Sequence, residues 1–170
     1  MKRVVIGIGN PNVPKDFAGW IVAEEAAKVC GVDKVLLSTT SFEILDVLLE
    51  YDYAIIVDTI IGEEGEILVF DLEEFENAEV TLKTTHSLDL LTTLKIGLEL
   101  FDDIAQAKIV LIGVKDLNGE MDDDFKKSLR EASRVVITLL SAKNLYPPPI
   151  EQSFGDDERT PLKSDEGLEF

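Results

Sequence analysis

The chain has 170 residues, of which 45% are hydrophobic, and this is enough for one folded domain with a sizeable core. Its net charge of −18, from 34 acidic and 16 basic residues, argues against a nucleic-acid partner, because binding phosphates requires a basic surface. No apolar run reaches the length of a membrane span, and a single cysteine cannot form an internal disulfide, so we expect a cytoplasmic protein without membrane insertion.

The first twenty residues predict a buried strand, a rigid loop and the start of a helix. The strand is expected at residues 4–8, which are apolar and rich in β-branched side chains. Glycines and prolines then mark a loop, and Asp16 stands just before a helix expected at residues 17–30. A carboxylate carried by the loop after the first strand is a common way to build a site in an α/β fold.

The rest of the chain alternates between short apolar runs and segments with helical periodicity. Strands are predicted at 35–37, 53–59, 67–72, 80–83 and 108–114, and helices at 42–49, 88–101 and 125–143. We expect Asp58 to stop the strand at 53–59, residues 73–80 to be irregular, and Ser87 to cap the helix at 88–101.

This order predicts a single α/β domain at residues 1–146. It is a three-layer sandwich, with a mostly parallel, mixed and twisted sheet of about five strands and with helices on both faces. The polar segment after the strand at 67–72 leaves room for one antiparallel strand. Residues 147–170 form an acidic tail that begins with three prolines, and we expect this tail to be disordered or loosely packed.

Three side chains form a candidate metal site at the carboxyl ends of the strands. Asp16 lies in the loop after the first strand, Asp58 ends the central strand, and His86, the single histidine, precedes a helix. Two carboxylates and one imidazole can hold a divalent transition metal with open positions. Each residue also has a purely structural interpretation: a helix N-cap for Asp16, a turn cap for Asp58, and a hydrogen bond to nearby backbone for His86.

The glycines of the opening loop do not predict a dinucleotide site. Gly7 and Gly9 match the first two positions of that motif, but Asn12 stands where the third glycine is required. We therefore interpret the loop as a support for Asp16.

At these residues the sequence resembles the hydrogenase maturation endopeptidases, which process the large subunit of [NiFe] hydrogenases. The resemblance spans roughly residues 2–143. Its motifs are Gly7–Ile8–Gly9–Asn10 with Asp16 and Gly19, Ile55–Ile56–Val57–Asp58, Gly65–Glu66–Ile67, Thr84–Thr85–His86 and Ile112–Gly113–Val114.

The resemblance implies a cytoplasmic peptidase that removes a C-terminal extension from a nickel-loaded large-subunit precursor. Nothing in the sequence requires more than a monomer, which is therefore our expectation. The resemblance also implies that Asp16, Asp58 and His86 bind a metal, which is the nickel of the substrate itself; another divalent transition metal is a second candidate for the isolated protein. Asp16 is the candidate general base because a loop position makes it accessible to the substrate. Alternatively, the metal activates the water as a Lewis acid.

The sequence departs from the family pattern at three places. Lys15 stands where the family usually has an acid, Ser38 stands where it has another acid, and Lys115–Asp116–Leu117 replaces a proline-containing turn. These departures leave a second hypothesis open, a non-cleaving module that senses nickel or holds the precursor.

A third hypothesis is a peptidyl-tRNA hydrolase, whose opening motif also resembles Gly7–Ile8–Gly9–Asn10–Pro11. Those enzymes carry a catalytic histidine before the first helix, where this chain has Lys15, Asp16 and Phe17, and the negative charge of the chain does not suit a tRNA ligand.

Overall fold

The structure is a computed structural model that describes residues 1–38, 42–77 and 85–142; the side chains of residues 76, 77 and 85–89 lie outside this description. The elements in chain order are β1 (Arg3–Ile8), α1 (Ala18–Cys30), β2 (Asp33–Leu37), α2 (Glu43–Glu50), β3 (Tyr53–Ile61), β4 (Ile67–Asp71), α3 (Leu72–Asn77), α4 (Thr85–Leu100), β5 (Gln106–Val114) and α5 (Asp123–Ser141). Within this part of the chain, no helix is both long enough and apolar enough to cross a membrane.

The five strands form one sheet in the order β2–β1–β3–β5–β4. Strands β1, β2, β3 and β5 are parallel, and β4 pairs antiparallel with β5 at the edge. The parallel strands therefore end together at one edge, the carboxyl edge, and start together at the opposite edge, the amino edge. The chain reverses its direction of travel across the sheet between β1 and β3, which makes this pair of strands the topological switch point.

Helices cover both faces of the sheet. One face packs against α1 and α5, with Val5, Ile55 and Val110 of the strands in that core. The other face packs against α2, α3 and α4, and its core includes Ile6 and Ile56. Successive strand residues thus alternate between two apolar layers, which explains why the strands are apolar along their whole length.

This architecture confirms the predicted fold: a mixed, mostly parallel five-stranded sheet between helical layers. The antiparallel strand is β4 itself, whereas we expected room for it after the strand at 67–72. The extended segment predicted at 80–83 and the acidic tail at 147–170 lie outside the described residues.

Two segment predictions are wrong. Residues 72–77 are helical, because Leu72 and Phe75 are spaced to bury one helical face and the side chain of Glu74 accepts a hydrogen bond from the Asp71 N–H at 3.0 Å. Helix α4 begins at Thr85, so His86 and Ser87 belong to its first turn and Ser87 is not the N-cap.

The prediction that Asp58 ends its strand is also wrong. Strand β3 continues to Ile61, because its backbone pairing with β5 runs on through Thr59–Ile112 to Ile61–Val114. A polar pair does not end a central strand whose neighbour keeps supplying hydrogen bonds. The pairing of β1 with β3, however, stops at Gly7–Val57, so Asp58 lies where β1 leaves the sheet.

Candidate active site at the carboxyl edge of the sheet

The loop that carries Asp16 folds back tightly against the strand from which it emerges. A Cβ atom on Gly9 would overlap the carbonyl oxygen of Asp16, and one on Gly19 would overlap the carbonyl oxygen of Ile8 and come within 2.8 Å of that of Val57. Only glycine fits at such approaches of backbone to backbone. The loop and the first turn of α1 therefore sit directly on the ends of β1 and β3.

The carboxylate of Asp16 is buried and held from two sides. One oxygen, Oδ2, accepts a hydrogen bond from the Asn10 N–H at 2.9 Å, and the other, Oδ1, accepts one from the Thr59 hydroxyl at 2.9 Å. Asp16 is only 4% exposed. It does not cap α1, whose N-cap residue is Phe17 and has no side-chain capping bond.

The structural interpretation of Asp16 as an N-cap is therefore wrong, and so is the argument that its loop position leaves it accessible. A loop residue is usually solvated, but here the glycine contacts press the loop onto the strand ends. Access of a substrate to this carboxylate requires displacement of the residues that cover it.

The second carboxylate, Asp58, is 1% exposed. Its Oδ1 accepts a hydrogen bond from the Thr59 N–H at 2.8 Å, while Oδ2 has no hydrogen-bond partner among the groups that the structure describes. Burial raises the pKa of Asp58 well above its usual value, the Thr59 N–H opposes this rise, and the nearby charge of Asp16 adds to it. A buried carboxyl oxygen without a partner is costly, and a metal ligand position is one physical reason to keep it.

Thr59 is the link between the two carboxylates. It was not among the site residues predicted from the sequence. Its N–H binds Asp58 and its hydroxyl binds Asp16, and the side chain is 3% exposed. The available signal was the polar pair Asp58–Thr59 inside an otherwise apolar run, which we interpreted as the end of a strand.

The third predicted ligand, His86, lies in the first turn of α4, and its side chain is outside the description. Its backbone position is nevertheless informative. Leu98, near the end of α4, lines the same cavity as Ala107 at the start of β5, so α4 ends near the amino edge. Sixteen helical residues span about 24 Å, which directs the first turn of α4 towards the carboxyl edge.

Asp58 faces the same helical layer. It alternates with Ile56 and Ile60, which share a core cluster with Leu90 and Leu94 of α4. Among the side chains that the structure describes, no three His, Cys, Asp or Glu residues are grouped to hold a metal ion, and His86 is not among those side chains. The structure brings Asp16 and Asp58 together, and the position of the imidazole stays a prediction.

Comparison with known proteins decides between the families that the opening motif resembles. The sequence model of the hydrogenase maturation proteases (HycI) matches residues 25–141, more than half of the chain. The chain belongs to the hydrogenase maturation protease family. The match includes Asp58 and His86, whereas Asp16 precedes it. It confirms the predicted family, which is one of peptidases, and it does not favour the peptidyl-tRNA hydrolases.

The chain is also similar to a curated protein of a bacterium. Protein HydD of Wolinella succinogenes is 28% identical over 105 residues, which are 60% of this chain and 65% of the relative, so the match spans just under two thirds of HydD.

Two solved structures share the fold. The [NiFe] hydrogenase maturation protease HybD of Thermococcus kodakarensis has a TM-score of 0.69 at 22% identity and covers 82% of this chain and 99% of its own. The hydrogenase maturating endopeptidase HybD of Escherichia coli has a TM-score of 0.67 at 18% identity, with 82% and 92% covered.

Proposed function

We propose that this protein is an endopeptidase that cleaves the C-terminal extension from a [NiFe] hydrogenase large-subunit precursor after nickel insertion. In this proposal Asp16, Asp58 and His86 bind the nickel of the precursor and thereby place the scissile peptide. The protein acts as a monomer in the cytoplasm, and nickel arrives with the substrate.

The observation that carries the proposal is Oδ2 of Asp58, which no described group binds, next to a second buried carboxylate. Two carboxylates in one buried region repel each other unless a cation or a proton compensates them. A divalent metal delivered by the substrate supplies that compensation and leaves its remaining positions to the precursor. The donor set of two carboxylates and one imidazole suits a transition metal.

Peptide hydrolysis at this site has two candidate routes. A carboxylate acts as general base towards the attacking water, for which Asp16 is the candidate, or the metal of the substrate polarises the reacting groups as a Lewis acid. In either route the residues of this chain hold the metal and orient the peptide. Because Asp16 is buried and doubly hydrogen-bonded, the first route requires that the bound precursor releases one of its two hydrogen bonds.

The test is processing of a purified, nickel-loaded precursor, followed by mass spectrometry of the large subunit. We expect the wild type to release one C-terminal peptide, and Asp16→Asn, Asp58→Asn and His86→Ala to release none while keeping the circular dichroism spectrum of the wild type. Asp102→Asn is the matched control, because this exposed aspartate lines a cavity at the amino edge and its loss leaves processing unchanged.

Two results separate the alternatives. Unchanged processing by both Asp16→Asn and His86→Ala would refute the metal-binding site. Tight binding of the precursor by the wild type without any shortening of the large subunit would instead assign a precursor-holding role.

A further inference from the structure

Lys15, the residue directly before Asp16, has an unusual environment for a lysine. Its side chain is only 9% exposed, and its ammonium forms an ion pair with Glu64 in the turn between β3 and β4. The same ammonium lies 4.8 Å from the centre of the Phe125 ring, at the start of α5. Lysine is almost never buried to this degree unless it is paired.

The Lys15–Glu64 pair connects three separate segments at the carboxyl edge. The second carboxylate oxygen of Glu64 accepts a hydrogen bond from the Lys115 N–H at 2.7 Å. The Lys15 N–H donates to the carbonyl oxygen of Leu117 at 2.9 Å. The loop after β1, the turn after β3 and the loop after β5 are thus tied together at one point beside Asp16.

The electrostatics of Glu64 agree with a persistent ion pair. Burial alone would raise the pKa of Glu64, but the hydrogen bonds from Lys15 and the Lys115 N–H, together with the charge of Lys15, outweigh it and lower the pKa. Glu64 is therefore ionised at neutral pH, where it supplies the charged partner that Lys15 needs in its buried position.

Asp16 is consequently fixed in two ways. Its carboxylate is held by Asn10 and Thr59, and its backbone follows directly from a residue that is anchored on the opposite side of the loop. We infer that Lys15 is a positioning residue that acts through Glu64 to hold the loop of residues 9–17, so that Asp16 keeps its place beside Thr59. The catalytic part of this inference rests on the proposed function, whereas the structural part does not.

The first experiment measures loop order without any substrate. Amide hydrogen exchange at Asn10 reports the bond to Asp16, and we expect Lys15→Met to accelerate it at least about tenfold, equivalent to about 1.4 kcal/mol. In Lys15→Arg, which keeps the charge, the exchange rate at Asn10 should stay near that of the wild type. The matched control is Lys108→Met, which removes the half-buried ion pair with Asp71 at the amino edge. It should leave the exchange rate at Asn10 unchanged.

The second experiment measures catalysis on the nickel-loaded precursor. We expect Lys15→Met to lower kcat at least about tenfold with little change in KM, because substrate contacts remain while Asp16 is misplaced. Lys15→Arg should restore most of kcat, and Lys108→Met should retain it. Glu64→Gln is a second variant with the same expected effects if Lys15→Met does not fold.

Failure of this inference is distinguishable from failure of the proposed function. If the wild type does not cleave the precursor, the proposed function fails, and the exchange measurement still decides the inference. Equal Asn10 exchange in the wild type, Lys15→Met and Glu64→Gln would overturn it. So would an equal acceleration in Lys15→Met and Lys108→Met, because that result indicates a general loss of stability instead of a local one.

Discussion

Replacement of Thr59 by valine tests whether Asp16 is held by its side-chain partner. The variant keeps the branched shape of the side chain but removes the hydroxyl that donates to Asp16 over 2.9 Å. Both residues are buried, so water does not replace the lost donor, and a hydrogen bond to a charged group contributes about 1.5–3 kcal/mol. Because the Asn10 N–H continues to bind Asp16, we expect the free energy of unfolding to fall by about 2 kcal/mol.

For a protein of this length, that loss corresponds to a decrease of roughly 4–8 °C in Tm. Urea unfolding followed by circular dichroism measures the loss in the free energy of unfolding directly. The control is Thr138→Val, whose hydroxyl donates to the Arg134 carbonyl on the exposed face of α5, where we expect a change within about 0.5 kcal/mol. A double-mutant cycle with Asp16→Ala should give a coupling of at least about 1 kcal/mol. Additive effects in that cycle, or equal stabilities of the two valine variants, would refute the reasoning.

Three further predictions concern the same edge of the sheet. Asp58→Asn should raise the free energy of unfolding of the metal-free protein at pH 7, because burial raises the pKa of Asp58 and the wild type therefore loses stability as the pH rises above the pKa of this carboxyl in the unfolded chain. Urea unfolding at pH 7 and near pH 4 should show this gain shrinking at the lower pH, and no gain at pH 7 would contradict it. Gly9→Ala should lower the free energy of unfolding by about 1–3 kcal/mol or more, because its Cβ overlaps the carbonyl oxygen of Asp16, and a fall in Tm measures this loss. Gly62→Ala, whose Cβ meets open space, should change the Tm little. The lowered pKa of Glu64 means that its ion pair stabilises the protein above pH 4.5 and that this contribution is lost as the pH falls through the lowered pKa. A stability difference between wild type and Glu64→Gln that does not shrink as the pH is lowered from 7 would exclude this explanation.

Much of the fold follows from local sequence pattern. Apolar runs located all five strands, and their alternation with helices predicted a mostly parallel sheet, but the pattern did not show that the strand at 67–72 is the antiparallel one. Errors arose where local pattern competes with tertiary context. The Asp58–Thr59 pair resembles a strand end, yet β5 continues to pair with it. Residues 72–77 appear acidic and irregular, yet two apolar side chains at helical spacing bury against the core.

The candidate site was only partly predictable. The rule that ligands bind at the carboxyl edge of parallel strands correctly brought Asp16 and Asp58 to one region. Their burial was not predictable, because it depends on how closely the loop packs at Gly9 and Gly19. The Lys15–Glu64 pair joins residues 49 positions apart, and neither residue carries a local signal for the other.

The antiparallel direction of β4 has a consequence for how partner recognition can change. A parallel strand at the position of β4 would require the chain to return to the amino edge after β3, but the antiparallel β4 starts at the carboxyl edge, so the turn at residues 62–66 stays beside the loop that carries Asp16. Surface turns tolerate changes in length and sequence better than central strands do. An insertion in this turn that keeps Glu64 paired with Lys15 can therefore change the surface around Asp16 while the four parallel strands keep their register.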